Sequence, residues 1–347
     1  MCTNFSIPVS GEEPAHRVSA RTMDFGTSFK TVLKKFAVGD SFPKGPHAII
    51  HPLKWRAKYG FIGTLMEFPV MGTDVPFPGV WDGMNSSGLS IATLWLPGSE
   101  YPQATGTKDN RIWVVDFPAW VLGNFTTVSD LDNAMDEGAV QIEGVPFLEN
   151  KTPLHFMVQD PTGDCLVIEF RRREVIKART NDGLFTNAPF YDEQLKNLNQ
   201  EKYKRLTPQN TERQYGQETN GSGMLGLPGD ATPPSRFVRV AKMCLSVYRP
   251  KPGIEQQNIG FAWQILQTVW VPYGTVTKMD NPDELADFTQ WAVIRDYTKK
   301  HYYFYSSFNP ALHKIDLQRL DFNTSDGVEV PIAWSDDWFV DATAKFN

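Results

Sequence analysis

Cysteine is scarce in this chain: three among 347 residues, at Cys2, Cys165 and Cys244. So few rule out a disulfide framework and leave the redox compartment open. No Cys-x-x-Cys pair, His-Glu-x-x-His run or Gly-x-Ser-x-Gly elbow is present. Paired-cysteine zinc sites, helical zinc proteases and elbow-type serine hydrolases are therefore not indicated. Long apolar runs are missing, and with them any stretch able to span a bilayer. Positive charge is not in excess: 34 Lys and Arg face 40 Asp and Glu, a net charge of -6. That balance argues against a nucleic-acid partner, which would call for a basic stripe. Repeats, charge blocks and low-complexity segments are absent. No leader precedes Cys2 except Met1. Two histories fit: a cytoplasmic protein that loses only Met1, or an exported one whose signal peptide a start methionine has replaced.

What is present is an ordinary apolar content of 41% with many aromatics: 10 Trp, 11 Tyr and 23 Phe. Most must fill a core, and some can line an apolar pocket. Short β-rich runs with period two dominate. Leu89–Leu96 reads as a strand after the Asn85-Ser86-Ser87-Gly88 turn. Leu154–Gln159 and Cys165–Phe170 flank Asp160-Pro161-Thr162-Gly163-Asp164, a hairpin signal. Trp291–Asp296 and Tyr302–Tyr305 flank a second turn, and Leu312–Leu320 predicts one more strand. Helices are expected over 190–199, 235–248 and 260–269, with Ser235 as N-cap of the second. The second carries Phe237, Val240, Ala241, Cys244, Leu245 and Tyr248 on one stripe. Residues 206–234 read as a polar excursion over the surface. Cys165 and Cys244 sit in apolar runs and are expected to be buried free thiols. No composition shift divides the chain, so one α+β domain is the economical expectation.

Two metal or cofactor signals dissolve on inspection. Gly221-Ser222-Gly223-Met224-Leu225-Gly226 fits a dinucleotide pattern, but no strand precedes it and Pro228-Gly229 breaks the helix that should follow. It reads as a loop. Only His47 and His51 lie at close ligand spacing, and Pro46 and Pro52 flank them. No metal and no cofactor are predicted.

The chemistry concentrates at Cys2. Loss of Met1 would give one residue both a thiol nucleophile and a free α-amine, a built-in general base. An α-amine near ~8 and a thiol near ~8.5 exchange a proton almost without cost. Arg21 can favour the thiolate and Asp24 can hold the amine. Further polar segments stand at element boundaries: Asp82-Gly83-Met84-Asn85, Thr186-Asn187-Ala188-Pro189, and Gly226-Leu227-Pro228-Gly229-Asp230 leading into Ser235-Arg236-Phe237. Taken singly, Asn187 would be a helix cap and Arg236 a first-turn residue.

In this order, with Gln290-Trp291-Ala292-Val293, Asn309-Pro310 and Leu320-Asp321-Phe322 near the end, the set resembles the choloylglycine hydrolase family. That family comprises conjugated bile-salt hydrolases and penicillin V acylases. The resemblance spans nearly the whole chain. It implies a four-layer αββα sandwich of the N-terminal-nucleophile type over residues 2–347, a homotetramer, and cleavage of linear, non-peptide C–N amide bonds through an acyl-thioester. By resemblance, Cys2 is the nucleophile, Arg21 lies beside its thiol, and Asp24 holds the amine. Asn187 and the backbone N–H of Trp95 are the oxyanion donors, and Arg236 is the second arginine of the site. Trp95 departs from the Asn or Tyr usual in Gram-positive members and resembles the Gram-negative branch, whose members are commonly periplasmic. With Phe25 it is expected to form an aromatic wall for an apolar acyl group. Trp95 as simple core filling is the plainer alternative. The substrate expected is a small amide of the penicillin V type, ahead of bile salts. An N-acyl homoserine lactone acylase and a non-catalytic binding protein on the same fold are the rival readings.

Overall fold

Two antiparallel sheets lie face to face, with helices on both outer surfaces. The computed structural model describes residues 1–9, 11, 15–44, 53–69, 76–103, 110–145, 152–332 and 338–342. His47 and His51 fall outside these. In chain order the first strands are β1 (Cys2–Ile7), β2 (Val18–Phe25), β3 (Thr31–Phe36), β4 (Ser41–Phe42), β5 (Trp55–Arg56) and β6 (Phe61–Pro69). Next come β7 (Pro76–Asn85), β8 (Ser90–Trp95), β9 (Arg111–Trp113), β10 (Gln141–Glu143), β11 (Leu154–Gln159), β12 (Cys165–Arg171) and β13 (Glu174–Thr180). The remainder are β14 (Arg213–Gln214), β15 (Gln217–Glu218), β16 (Phe288–Asp296), β17 (His301–Ser306), β18 (His313–Asp316) and β19 (Glu329–Pro331). The helices are α1 (Phe117–Asn124), α2 (Val128–Asp136), α3 (Tyr191–Leu198), α4 (Glu201–Lys204), α5 (Pro233–Ser246) and α6 (Glu255–Val269).

One sheet has the order β1-β2-β16-β17-β18, the other β13-β12-β11-β8-β7-β6-β3-β19. Helices α5 and α6 pack on β1 and β2 of the first sheet, and α1 and α2 on β7, β8 and β12 of the second. This is the four-layer αββα arrangement. A strand sandwiched between a helix layer and a second sheet is buried on both faces, and β16 is buried at every position. That is why its sequence reads as a nearly continuous apolar run rather than a strict alternation.

The hairpins β11–β12 and β16–β17 fall where the turn signals put them. Three boundaries differ. Helix α6 begins five residues before Gly260, because its first turn is the polar Glu255–Asn258 stretch that shows no apolar stripe. In α5 the cap is Thr232 with prolines at the first positions, while the Ser235 hydroxyl donates to Asp230 Oδ2 at 2.7 Å. Pro at the first helical turn needs no donor there, so the helix starts before the serine. The α5 stripe is also narrower than expected, since Leu245 and Tyr248 are exposed. After β18 the chain tightens into a 3-10 turn at Leu317–Arg319 instead of continuing as strand, because the Asp316 side chain caps it.

Candidate active site

Strand β1 is an edge strand, and its free edge is covered by the segment that ends at Asn187. Asn4 and Phe185 exchange backbone hydrogen bonds at 2.7 and 2.9 Å, and Ser6 N donates to Asp182 O. This pairing carries residue 187 back to Cys2. Across β1 and β2, Cys2 faces Met23 and Asn4 faces Arg21. Period-two alternation then puts Cys2, Asn4 and Arg21 on the face toward the second sheet, and Thr3 and Asp24 on the face toward α5. The site straddles that strand pair.

On the inner face, Arg21 Nη2 donates to Cys2 Sγ at 3.6 Å. The same guanidinium donates to the carbonyls of Trp81 and Thr93, and to Asp82 Oδ2 at 3.1 Å. Its plane lies over the Trp291 ring, 5.2 Å from the centroid. On the helix face, Arg236 Nη1 donates to Cys2 O at 2.7 Å and to the Thr3 hydroxyl, and Nη2 donates to Asn187 Oδ1 at 3.0 Å. Asp24 accepts from Thr289 Oγ1 at 2.7 Å and from Arg236 at 3.5 Å. Arg21, Asp24, Asp82 and Arg236 are fully buried, so each charge depends on its partner. Burial lowers the Arg236 guanidinium from its ordinary value, and the charges of Asp24, Cys2 and Asp287 oppose that.

The Asn187 amide joins the two sides. Its Oδ1 accepts from Cys2 N at 2.5 Å, and its Nδ2 donates to Trp95 O at 2.6 Å. Two donors on one atom and a carbonyl on the other fix the amide orientation. Asn187 does not cap α3. The first backbone N–H of α3, on Tyr191, is taken by the Glu169 carboxylate at 3.0 Å. The amine of Met1 donates to Asp24 O at 2.5 Å and pairs with Asp287 at 3.0 Å. Burial raises the Asp287 carboxyl, and the adjacent amine pulls it down.

Phe25, two residues beyond the Met23 that faces Cys2, meets Trp95 edge-on at 5.6 Å and Phe29 at 5.2 Å. All three rings are half-buried, so one side of the wall stays open. Gly26 lets the chain turn under it: a Cβ there would sit 2.3 Å from Ala286 O. The other cysteines are different in kind. Burial pushes Cys165 up to about 12 and raises Cys244 as well, so both are inert thiols.

Among the described residues, Glu255, Asp296 and His301 have ligand atoms within 4.8 Å of one another. They lie at the far end of β16 from Thr289. His301 already pairs with Glu255 at 2.6 Å, and His16 with Asp296 at 2.9 Å.

The four-layer sandwich that carries this site is shared with known proteins. Residues 2–330 match the profile of the linear amide C–N hydrolases of the choloylglycine hydrolase family. The chain belongs to this family. Among its relatives, the penicillin V acylase of Pectobacterium atrosepticum is 27% identical over 92% of this chain and 82% of that one. The bile salt hydrolase/transferase of Clostridium perfringens is 32% identical over 73% and 78%. The crystal structure of the C2A mutant of the Clostridium perfringens conjugated bile acid hydrolase superposes with a TM-score of 0.75 at 26% identity, covering 96% and 97%. The penicillin V acylase of Agrobacterium tumefaciens gives 0.70 at 26%, covering 94% and 89%. As a choloylglycine hydrolase family member the protein is an amide hydrolase with the N-terminal-nucleophile fold. No helix among the described residues is long and apolar enough to cross a membrane.

The structure brings Cys2, Arg21, Asp24, Asn187, Arg236, Trp95 and Phe25 into one site. Sequence reasoning missed Thr289, Arg295, Tyr302 and Asp287. One signal for Arg295 was visible: it closes the apolar run Trp291–Ile294 in a strand buried throughout.

Proposed function

We propose that this amide hydrolase acts on small amides with an apolar, flat acyl group, of the penicillin V type, by way of Cys2 after loss of Met1. The observation that carries the reading is the placement of Cys2 Sγ under Arg21, with Phe25, Phe29 and Trp95 forming an open aromatic wall beside it. The α-amine of Cys2 takes the thiol proton, and the thiolate attacks the amide carbonyl. The oxyanion is held by the Asn187 amide, whose NH₂ has a second donor beyond the one on Trp95 O, and by the backbone N–H of Trp95. The amine passes its proton to the leaving nitrogen, so the C–N bond breaks and an acyl-thioester remains. Water, deprotonated by the same amine, then attacks the thioester carbonyl, the C–S bond breaks to free the acid, and the amine returns its proton to the Cys2 thiolate. Asp24, held by Thr289, balances the positive charge of Arg236 near that amine. We further propose a homotetramer exported to the periplasm. Light scattering giving a monomer mass, or fractionation leaving the protein in the cytoplasm, would overturn those two points.

A panel of penicillin V, glycocholate, taurocholate and long-chain acyl homoserine lactones, ranked by kcat/KM, tests the substrate class. Penicillin V is expected at least level with the bile salts. Bile salts leading by more than about tenfold, ~1.4 kcal/mol in transition-state binding, would replace this reading with the bile-salt one. An acyl homoserine lactone at the head of the ranking would make the enzyme an acylase of that class. Intact mass tests the nucleophile: a chain that keeps Met1 quantitatively and still turns over cannot use the α-amine as base.

A further inference from the structure

A second buried arginine stands behind the first. Arg295 lies on β16, opposite Ser19 of β2, on the same inner face as Arg21. It donates through Nε to Asp82 Oδ1 at 3.1 Å and through Nη2 to Asp82 Oδ2, a two-point grip on the carboxylate that also receives Arg21. Its remaining nitrogen donates to Asn4 Oδ1 at 3.1 Å and Ser19 Oγ at 3.2 Å. Tyr302 adds an O–H donor to Asp82 Oδ1 at 2.8 Å. Every one of these side chains is fully buried. One carboxylate therefore serves two guanidiniums, and the more complete contact belongs to Arg295.

We propose that Arg295 is a positioning residue for the Cys2 chemistry: by holding Asp82, it leaves the charge of Arg21 directed at the thiol. The proposal rests on Cys2 being the nucleophile. Charges in a dry interior act strongly over a few ångströms. Were Arg295 neutral, Arg21 would be the sole cation paired with Asp82, and that carboxylate would cancel most of the Arg21 field at Cys2 Sγ. With Arg295 present, the three groups sum to one positive charge, and Nη2 of Arg21 faces the sulfur at 3.6 Å. The other charges around Cys2 do not replace it. Arg236 from α5 is matched by Asp24 from β2, and Asp287 ahead of β16, which pairs with the amine of Met1 until that residue is lost, is an anion and supplies no positive charge in place of Arg21. His155 from β11 is buried, and burial together with the nearby Arg21 charge lowers its basicity, so it adds no cation. Around Arg295 itself, burial works against the charged form, and Asp82, Tyr297 and Tyr302 together outweigh it, so it stays protonated.

The test follows the acid limb of two pH profiles: kcat/KM for penicillin V, and alkylation of Cys2 by iodoacetamide in the absence of substrate. Arg295→Gln should move both limbs to higher pH by about one unit, slowing alkylation about tenfold at any pH below the limb. Arg295→Lys keeps the charge and should bring the limbs back near wild type. The pair Asp82→Asn with Arg295→Gln removes one charge of each sign. It leaves Arg21 unshielded, so its limbs should lie at or below the wild-type position. A purely structural role predicts that the double variant is shifted at least as far as the single one, and that result overturns the proposal. So does an unmoved limb in Arg295→Gln. If Arg295→Gln fails to fold because it strands a buried carboxylate, the lysine and double variants decide: a limb a unit above wild type in either one overturns the proposal. Turnover by Cys2→Ala would instead sink the nucleophile reading, while the alkylation profiles would still report on Arg295.

Discussion

Cys2 presents its sulfur to Arg21 while its backbone is clamped from the other side by Asn187 on its N–H and Arg236 on its carbonyl. The thiol is thus aimed by its main chain, and removing it should cost chemistry rather than fold. Cys2→Ala is expected to lose turnover entirely and to keep the wild-type circular dichroism spectrum and melting curve. Near-normal activity in that variant would contradict the nucleophile role. Asn187 is under a different demand. Its Oδ1 organises ground-state contacts, whereas the developing oxyanion would draw on its Nδ2. Asn187→Ala should therefore lower kcat by ~100- to 1000-fold with little change in KM. A change confined to KM would leave Asn187 as a structural clamp only. At this scale the sequence was informative where a residue type is chemically unusual for its place, as with a cysteine at position 2, whereas Asn187 and Arg236, ordinary taken singly, stood out only within the ordered set of motifs. It was silent on Thr289 and Tyr302, because a threonine or tyrosine in a β-strand is ordinary until its hydroxyl is seen on Asp24 or Asp82.

Elements deliver these residues through a few buried polar ties. Glu169 on β12 accepts the first N–H of α3 and also pairs with His155 Nδ1 on β11 at 3.1 Å. Helix α3 in turn holds the Asn187 segment, since Gln194 Nε2 donates to Asn187 O at 3.1 Å and to the Thr186 hydroxyl at 3.2 Å. His155 is fully buried, and burial holds its basicity below the ordinary value of 6.5 despite the Glu169 partner. The unfolded chain therefore takes up a proton below about pH 6.5 that the folded chain refuses until lower pH. Stability contributed by this residue is present above that value and lost as the pH falls toward the depressed folded value, by at most ~1.4 kcal/mol per unit. His155→Gln should flatten the decline of the urea midpoint between pH 7 and pH 5, while wild type declines more steeply. Equal slopes would show that His155 is not the group responsible. Strand and hairpin positions were readable because turn chemistry and period two are local. The starts of α5 and α6 were not, because prolines at the first turn and a polar opening turn leave no apolar stripe to read.

On the scale of the whole molecule, the site is a seam. Cys2, Arg21 and Arg295 come from one sheet, and Trp81, Asp82, Thr93 and Trp95 from the other. The ordered motifs made this legible only as a list, since nothing in linear spacing says that Asp82 bridges two arginines on neighbouring strands of the opposite sheet. The consequence is physical. Arg21 and Arg295 tie the sheets through Asp82, and Tyr302 on β17 adds a tie to Thr64 on β6 at 3.1 Å. Separating the sheets at this point before water enters would leave three buried charges unpaired, which costs several kcal/mol. Partial opening at the site is thus more expensive than in a cleft built from loops, and the two sheets should fail together. Urea titrations followed by residual amidase activity, by tryptophan fluorescence and by far-ultraviolet circular dichroism are expected to give coincident midpoints. Activity lost well below the other two midpoints would mean that the 26–30 connection under the aromatic wall opens on its own. The acyl pocket, rather than the seam, would then be the least stable part of the enzyme.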